Sequence, residues 1–289
     1  MSTRTLLNLF LLIFILALVA LVVYQPGKEK PVTPPTLTSL KANEINHIQI
    51  TRPRNNAGDH ILEFEKTTNG WILVKPYRHA ANTFRLESVL KLLSAVSLSQ
   101  NKLENLNHEE FGLTKPQATI TFNDKVSIIF GNNKSLKHHR YVKIGSTLHM
   151  IADTFLYQLT AKTASYVSHK VLPEKSKITK LILPNLKLEL VDVKWNITPK
   201  TDNFSADSIN QLINEWQLTQ AYDIIKDKRH IKTKADIIVH LSSEKILRFK
   251  MNNTQDDFSL LNIDTGIRYI MAKNRSNKLL NLSGIEKSE

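Results

Sequence analysis

Leu6–Tyr24, LLNLFLLIFILALVALVVY, decides how the rest of the chain is read, because it sets the solvent that each part meets. At about 1.5 Å rise per residue its nineteen residues span roughly 28 Å, close to the thickness of a bilayer's hydrocarbon core. Its polar side chains are Asn8 and the Tyr24 hydroxyl alone. A cleaved leader would have a shorter apolar core, of about 7–15 residues, and a small-x-small site after it. Here the run ends Leu21-Val22-Val23-Tyr24-Gln25-Pro26, with Ala17 and Ala20 inside it, so a retained transmembrane helix over 6–24 is expected. A helix buried in a soluble core would be amphipathic or shorter.

Flanking charge does not settle orientation. Arg4 and the free amine precede the span, while Lys28 and Lys30 follow it, with Lys41, Arg52 and Arg54 further out. Long domains cross largely regardless of such charges, and a short tail before one span usually stays in the cytoplasm. The expectation is therefore a cytoplasmic tail over 1–5 and an exported body.

The chain carries 39 Lys and Arg against 26 Asp and Glu, and only Arg4 lies in the tail and span, so the remainder bears +12. Such a surplus suits anionic partners, whether acidic lipid headgroups, an envelope polymer or an acidic protein face; generic solvated charge reads equally well. With no cysteine there is no disulfide, thiolate zinc site, cysteine nucleophile or lipoprotein-type modification. Residues 25–40, QPGKEKPVTPPTLTSL, hold four prolines and no apolar period, and read as an extended linker.

From there the sequence is written twice. Ile45-x-x-Ile48-x-Ile50, Leu62-Glu-Phe-Glu65, an Asn69-Gly70 turn and Trp71-Ile-Leu-Val-Lys-Pro76 answer Ile178-x-x-Leu181-x-Leu183, Leu188-Glu-Leu-Val191 and Lys194-Trp-Asn-Ile-Thr-Pro199. Each set precedes an amphipathic helix with apolar residues at i, i+3, i+4 and i+7: Leu86, Val89, Leu90, Leu93 and then Ile209, Leu212, Ile213, Trp216. Asn82 or Thr83, and Ser205, are candidate N-caps, with Glu87 and Asp207 as acids expected near each positive helix end. Strand pairs follow in both copies. Ala118–Phe122 and Val126–Phe130 match Ala235–Leu241 and Ile246–Met251, and Tyr141–Gly145 with Leu148–Ala152 matches Leu260–Ile263 with Ile267–Ala272. Short helices are expected near Asp153–Ala161 and Asn274–Leu280.

Each unit reads β-β-β-α-β-β-β-β-α, and turns of two to five residues imply antiparallel pairing. The fold class is α+β: an N-terminal transmembrane helix, then two tandem antiparallel-sheet-plus-helix units, 41–172 and 173–289. Trp71 and Trp195 are expected in core or edge packing.

The chemistry is mostly absence. Eight glycines supply no phosphate-cradling loop, and no G-x-S-x-G or H-E-x-x-H occurs, so neither a catalytic residue nor a metal or other cofactor is expected. His138-His139 lie within Lys134-Ser-Leu-Lys-His-His-Arg140, where neighbouring cations oppose a metal ion. Asn252-Asn-Thr-Gln-Asp-Asp257 lacks the spaced acids and glycine of a calcium loop and reads as a turn. Two basic runs, 134–140 and 226–234, give a candidate anion-binding face of Lys134, Lys137, Arg140, Lys226, Lys228 and Arg229; solvated loops are the plainer reading. No aromatic platform or recognition helix accompanies the charge, so nucleic acid is not an expected partner.

The Trp71 strand ending in Lys75-Pro76, then Phe111-Gly112-Leu113-Thr114-Lys115-Pro116, the hairpin closing on Phe130-Gly131, and Tyr141-Val142-Lys143 before Gly145 resemble a bacterial membrane-anchored family known as domain of unknown function 4340. The family motif is aromatic-Gly-Leu-x-x-Pro, whose glycine and proline punctuate a turn. The second copy lacks that segment before Ala235. The resemblance implies structural roles for Trp71, Phe111, Gly112, Leu113, Pro116 and Tyr141, an envelope-facing body and no established activity. Some members of the family resemble, by genomic neighbourhood, accessory components of gliding-type ABC exporters, and others stand alone. The functional expectation is a non-enzymatic accessory or scaffold protein, single-pass in the inner membrane with its body in the periplasm. It would bind the membrane, an envelope protein, or an anionic polymer or lipid. The alternative is an envelope hydrolase or transferase with an unrecognised site.

Overall fold

A computed structural model describes residues 3–24, 35–54, 59–104, 106–134, 138–200, 204–227 and 233–282. The first helix, α1 (Thr3–Tyr24), runs 22 residues without a buried side chain. Among the described residues it is the one helix long and apolar enough to cross a membrane. It starts at Thr3, so residues expected in a cytoplasmic tail are already helical.

The body is a separate compact unit that begins at Thr36. Residues 25–34 of the expected linker lie outside the described residues, and its last residues belong to the body. Leu37 is buried, its N–H donates to Ala95 O at 2.7 Å, and Thr38 Oγ1 donates to Leu93 O at 2.9 Å.

The first half contains β1 (His47–Thr51), β2 (Ile61–Thr67), β3 (Gly70–Lys75), β4 (His79–Ala80), α2 (Thr83–Leu90), β5 (Ser99–Lys102), β6 (Ala118–Phe122), β7 (Val126–Lys134), β8 (His139–Ile144), β9 (Thr147–Ala152) and α3 (Leu156–Thr160). Its antiparallel sheet is ordered β4-β3-β2-β1-β6-β7-β8-β9-β5. The second half contains β10 (Ile178–Ile182), β11 (Lys187–Val191), β12 (Lys194–Thr198), α4 (Ala206–Leu218), β13 (Asp223–Lys226), β14 (Ile237–Leu241), β15 (Ile246–Asn253), β16 (Asp257–Asn262), β17 (Ile267–Ala272) and α5 (Arg275–Leu280). Its order, β12-β11-β10-β14-β15-β16-β17-β13, is the first order without a partner for β4.

Capping explains where the two long body helices begin. Asn82 Oδ1 accepts from Arg85 N, and Ser205 Oγ accepts from Ser208 N, which satisfies a backbone donor that the first turn would leave open. The four apolar positions of the first helix straddle α2 and a 3₁₀ turn over Lys91–Ser94. The Asn123-Asp124 turn takes left-handed φ values of 49° and 55°, and Asn123 Oδ1 accepts from the backbone N–H groups of Asn46 and His47.

Three strands lie outside the expected pattern, the first of them the two-residue edge strand β4 before α2. After each helix the chain adds an edge strand, β5 or β13, that pairs with the last strand of its sheet. The second departure is in the core. Ile48, Phe64, Phe122, Phe130 and Leu86 of the first half and Trp216, Phe249, Leu260 and Tyr269 of the second belong to one hydrophobic cluster, so the halves are not two separately filled lobes. Trp71 is buried in this cluster and Trp195 packs against it.

A strap over 161–172, a 3₁₀ turn at Thr163–Tyr166 followed by irregular chain, joins the halves. On one side Asn82 N donates to Tyr166 O at 2.7 Å and Ser168 N to Ala80 O at 2.8 Å. On the other, Ala221 N donates to His169 O at 2.9 Å and Val171 N to Thr219 O at 3.2 Å. The start of α2 and the end of α4 are thereby tied to one segment.

Candidate functional site

The basic residues expected to make one face have different environments. Arg140 is 7% exposed; Nε and Nη2 donate to the Asp153 carboxylate at 2.6 and 2.8 Å, and Nη1 donates to Gly131 O. Its charge is spent inside the β8–β9 hairpin, which removes it from an anion-binding face. Lys134 is exposed at the end of β7. Lys226 ends the edge strand β13, and its ammonium donates to Thr265 O. No hydrogen bond, ion pair or shared cleft among the described residues joins Lys134 to Lys226. Lys137, Lys228 and Arg229 lie outside the described residues. The cleft of about 690 Å³ that includes Lys226 also holds Arg268 paired to Asp227 at 3.2 Å and Lys250 paired to Asp236 at 2.7 Å, so these cations have internal partners.

The family-motif residues build structure. Phe111 meets Tyr141 edge-on with ring centroids 4.9 Å apart, and Leu113 is buried with Leu103 and Leu148 in a small cluster apart from the main core. Ile129 and Tyr141 in that cluster alternate with the core-facing Phe130 and Val142, so the loop seals the outer face of β7–β9. Gly112 has φ +69°, and a Cβ there would run into Asn132. Half-buried Pro116 precedes Gln117, whose N–H donates to Phe130 O as pairing begins.

The strap creates a site that the sequence did not announce. A cleft of about 670 Å³ opens between the head of α2, α3 and the strap. Arg85 leaves the first turn of α2 and donates from Nη1 to Tyr157 Oη at 3.2 Å. Its guanidinium carbon sits 5.1 Å from the Tyr157 ring centroid and 5.5 Å from that of Tyr166, a cation held over two aromatic rings. Burial pushes the Tyr166 phenol up to about 12, outweighing Arg85 and Arg52, so it remains a neutral donor, bonded to Gln158 O. Lys170 is paired with Glu174 at 2.8 Å. His169 places Nδ1 3.0 Å from Ala221 O and Nε2 2.9 Å from Ala164 O, so whichever nitrogen carries the proton donates to a backbone carbonyl. Nothing in composition marks this cleft. The one clue was Arg85 in a first turn without an acid, at the end where a helix disfavours a cation.

Among the described residues no group of three or more His, Asp or Glu is placed to hold a metal ion. The class is thus an α+β protein with a candidate N-terminal membrane span and a polar cleft at the junction of two similarly ordered sheets. Residues 71–239 match the family described as Domain of unknown function (DUF4340), and the chain belongs to that family. The matched stretch runs from β3 to β14 and includes the strap and every residue lining the cleft. No curated protein and no solved structure matches the chain.

Proposed function

We propose that this chain is a single-pass inner-membrane protein whose body faces the periplasm and acts by binding, as an accessory or scaffold component of a membrane transport complex such as an ABC exporter. One observation carries the reading: an apolar helix without a buried residue precedes a body that starts at Thr36 and has its own core. A helix of that length and composition finds its solvent in a bilayer, and retaining it keeps the body at a membrane surface. Binding is favoured over hydrolysis because the titratable groups of the cleft are already engaged. Both nitrogens of His169 face carbonyl oxygens and Glu174 is paired to Lys170, which leaves neither poised as a general base. The common strand order further supports reading the halves as copies of one unit.

A reporter active only in the periplasm, fused after Glu289, tests the placement. It should be active with the full chain; activity confined to a cytoplasmic reporter would overturn the envelope-facing part and leave an intracellular membrane-surface role.

A further inference from the structure

Arg85 is a cation without an anion. Among the described residues no carboxylate pairs with it, and it stands in the first turn of α2, where the helix's own N–H groups already make the potential positive and the turn itself holds no acid, Glu87 coming after it. Two tyrosines hold its planar fork in place. Such a preset fork matches a planar acid group, the pairing in which arginine surpasses lysine.

The rest of the cleft says what the acid is attached to. Phe84 is 78% exposed and Tyr157 69% exposed, and both line the opening, where an apolar ring face loses water if something flat covers it. Deeper in, Arg85 Nε and Gln158 Oε1 are buried without a hydrogen-bond partner in the protein. One is a donor and the other an acceptor. Both belong to residues that line the cleft, so its wall carries polar groups that the protein itself leaves unpaired. An acid group and a ring with an apolar C–H face occur together on an acidic sugar, whose hydroxyls suit a polar wall.

We propose that the cleft at the head of α2 binds an acid-bearing sugar unit of an envelope polymer, with the acid on Arg85 and the sugar ring against Phe84 and Tyr157. This names the ligand class for the binding role proposed above and rests on it. The paired cations of the second cleft and the internal Arg140 take no part.

Full-length protein in detergent micelles is titrated calorimetrically with trigalacturonate, neutral chitotriose and inorganic phosphate. Saturable binding of trigalacturonate is expected, at least tenfold tighter than of chitotriose, and phosphate should compete only weakly. Arg85→Gln should weaken it tenfold or more and Phe84→Ala several-fold, while Lys134→Gln leaves it unchanged. Phe84 is largely exposed, so its variant reports on the cleft even if Arg85→Gln lowers the melting temperature. Absent binding of trigalacturonate, equal binding of the neutral sugar, full competition by phosphate, or unchanged affinity in Phe84→Ala would each overturn the proposal. These titrations do not depend on which side of the membrane the body faces, so the topology reporter can fail while the sugar site stands, and the reverse.

Discussion

The carbonyl oxygen of Phe111 occupies the place that a Cβ on Gly131 would need. Backbone meets backbone there, with Asn132 N donating to Phe111 O at 2.8 Å, so neither strand nor loop can yield as a side chain would. Gly131→Ala should therefore cost about 1–3 kcal/mol by overpacking and loosen the Phe111–Tyr141 contact. Gly112→Ala adds backbone strain at φ +69° to its collision with Asn132 and should cost at least as much. Denaturant unfolding of both variants measures this; stability equal to that of the parent chain would mean that the loop does not seal the sheet.

Arg140 and Asp153 form a pair whose side chains are 8% and 18% exposed. Removing one partner leaves a charge poorly solvated, so Arg140→Gln or Asp153→Asn should each destabilise by about 3–5 kcal/mol, and the double variant by less than the sum. Neither should change the salt dependence of binding to anionic vesicles. A variant of Arg140 that unfolds normally but loses vesicle binding would restore it to the basic face.

Arg140 also shows what was legible in the sequence and what was not. It is followed by Val142 in strict alternation, and in β8 both point inward, so period two already gave its direction. Its neighbourhood of lysines and histidines suggested an exposed loop, and its partner Asp153 is set by the β8–β9 register, which charge counting does not see. The apolar helices and strands were readable because burial imposes their period. β5, Ser-Gln-Asn-Lys, was not: it is paired along one edge only and buries almost nothing. The strap, and with it the cleft, escaped for a related reason: what ties it to both halves is backbone hydrogen bonding that any sequence can make, and its buried Tyr166, Val167, Val171 and Leu172 follow no helical or strand period.

The continuous core bears on truncation. A chain beginning at Thr36 keeps Leu37 and its hydrogen bonds to the segment after α2, whereas one beginning at Lys41 loses them. The longer body should be more stable by roughly 2–4 kcal/mol. Cut at 172, the halves should not fold separately, because Val167, Val171 and Leu172 of the strap lie in the same cluster as both sheets. Two independent cooperative transitions from the separate halves would show that each sheet suffices for its own core.

Stability should also depend on pH through His79 and His149. Burial is the main cause holding both below the ordinary imidazole value of 6.5; for His79, the hydrogen bond to Ser168 O works the other way and the charges of His169 and Lys245 add to the depression. His149 Nδ1 meets Ser97 Oγ at 2.9 Å. With folded values depressed, the unfolded chain binds more protons as pH falls from 6.5, so stability is complete above that value and is lost below it. The carboxylates act in a lower window: Glu63, held down chiefly by Lys75, and Glu189, held at about 2 by Lys187 and Lys180, lose their contribution only as pH falls below 4.5. Melting temperature should thus be level above pH 7 and fall between pH 6.5 and 5, before the carboxylates begin to titrate. His149→Gln and His79→Gln together should reduce that first decline, leaving the smaller part that belongs to His240, which burial chiefly also holds below 6.5, and leave the acid limb below 4.5 in place. A decline between pH 6.5 and 5 that is unchanged in the double variant would assign it to other groups and show that both imidazoles accept protons in the folded body as readily as in water.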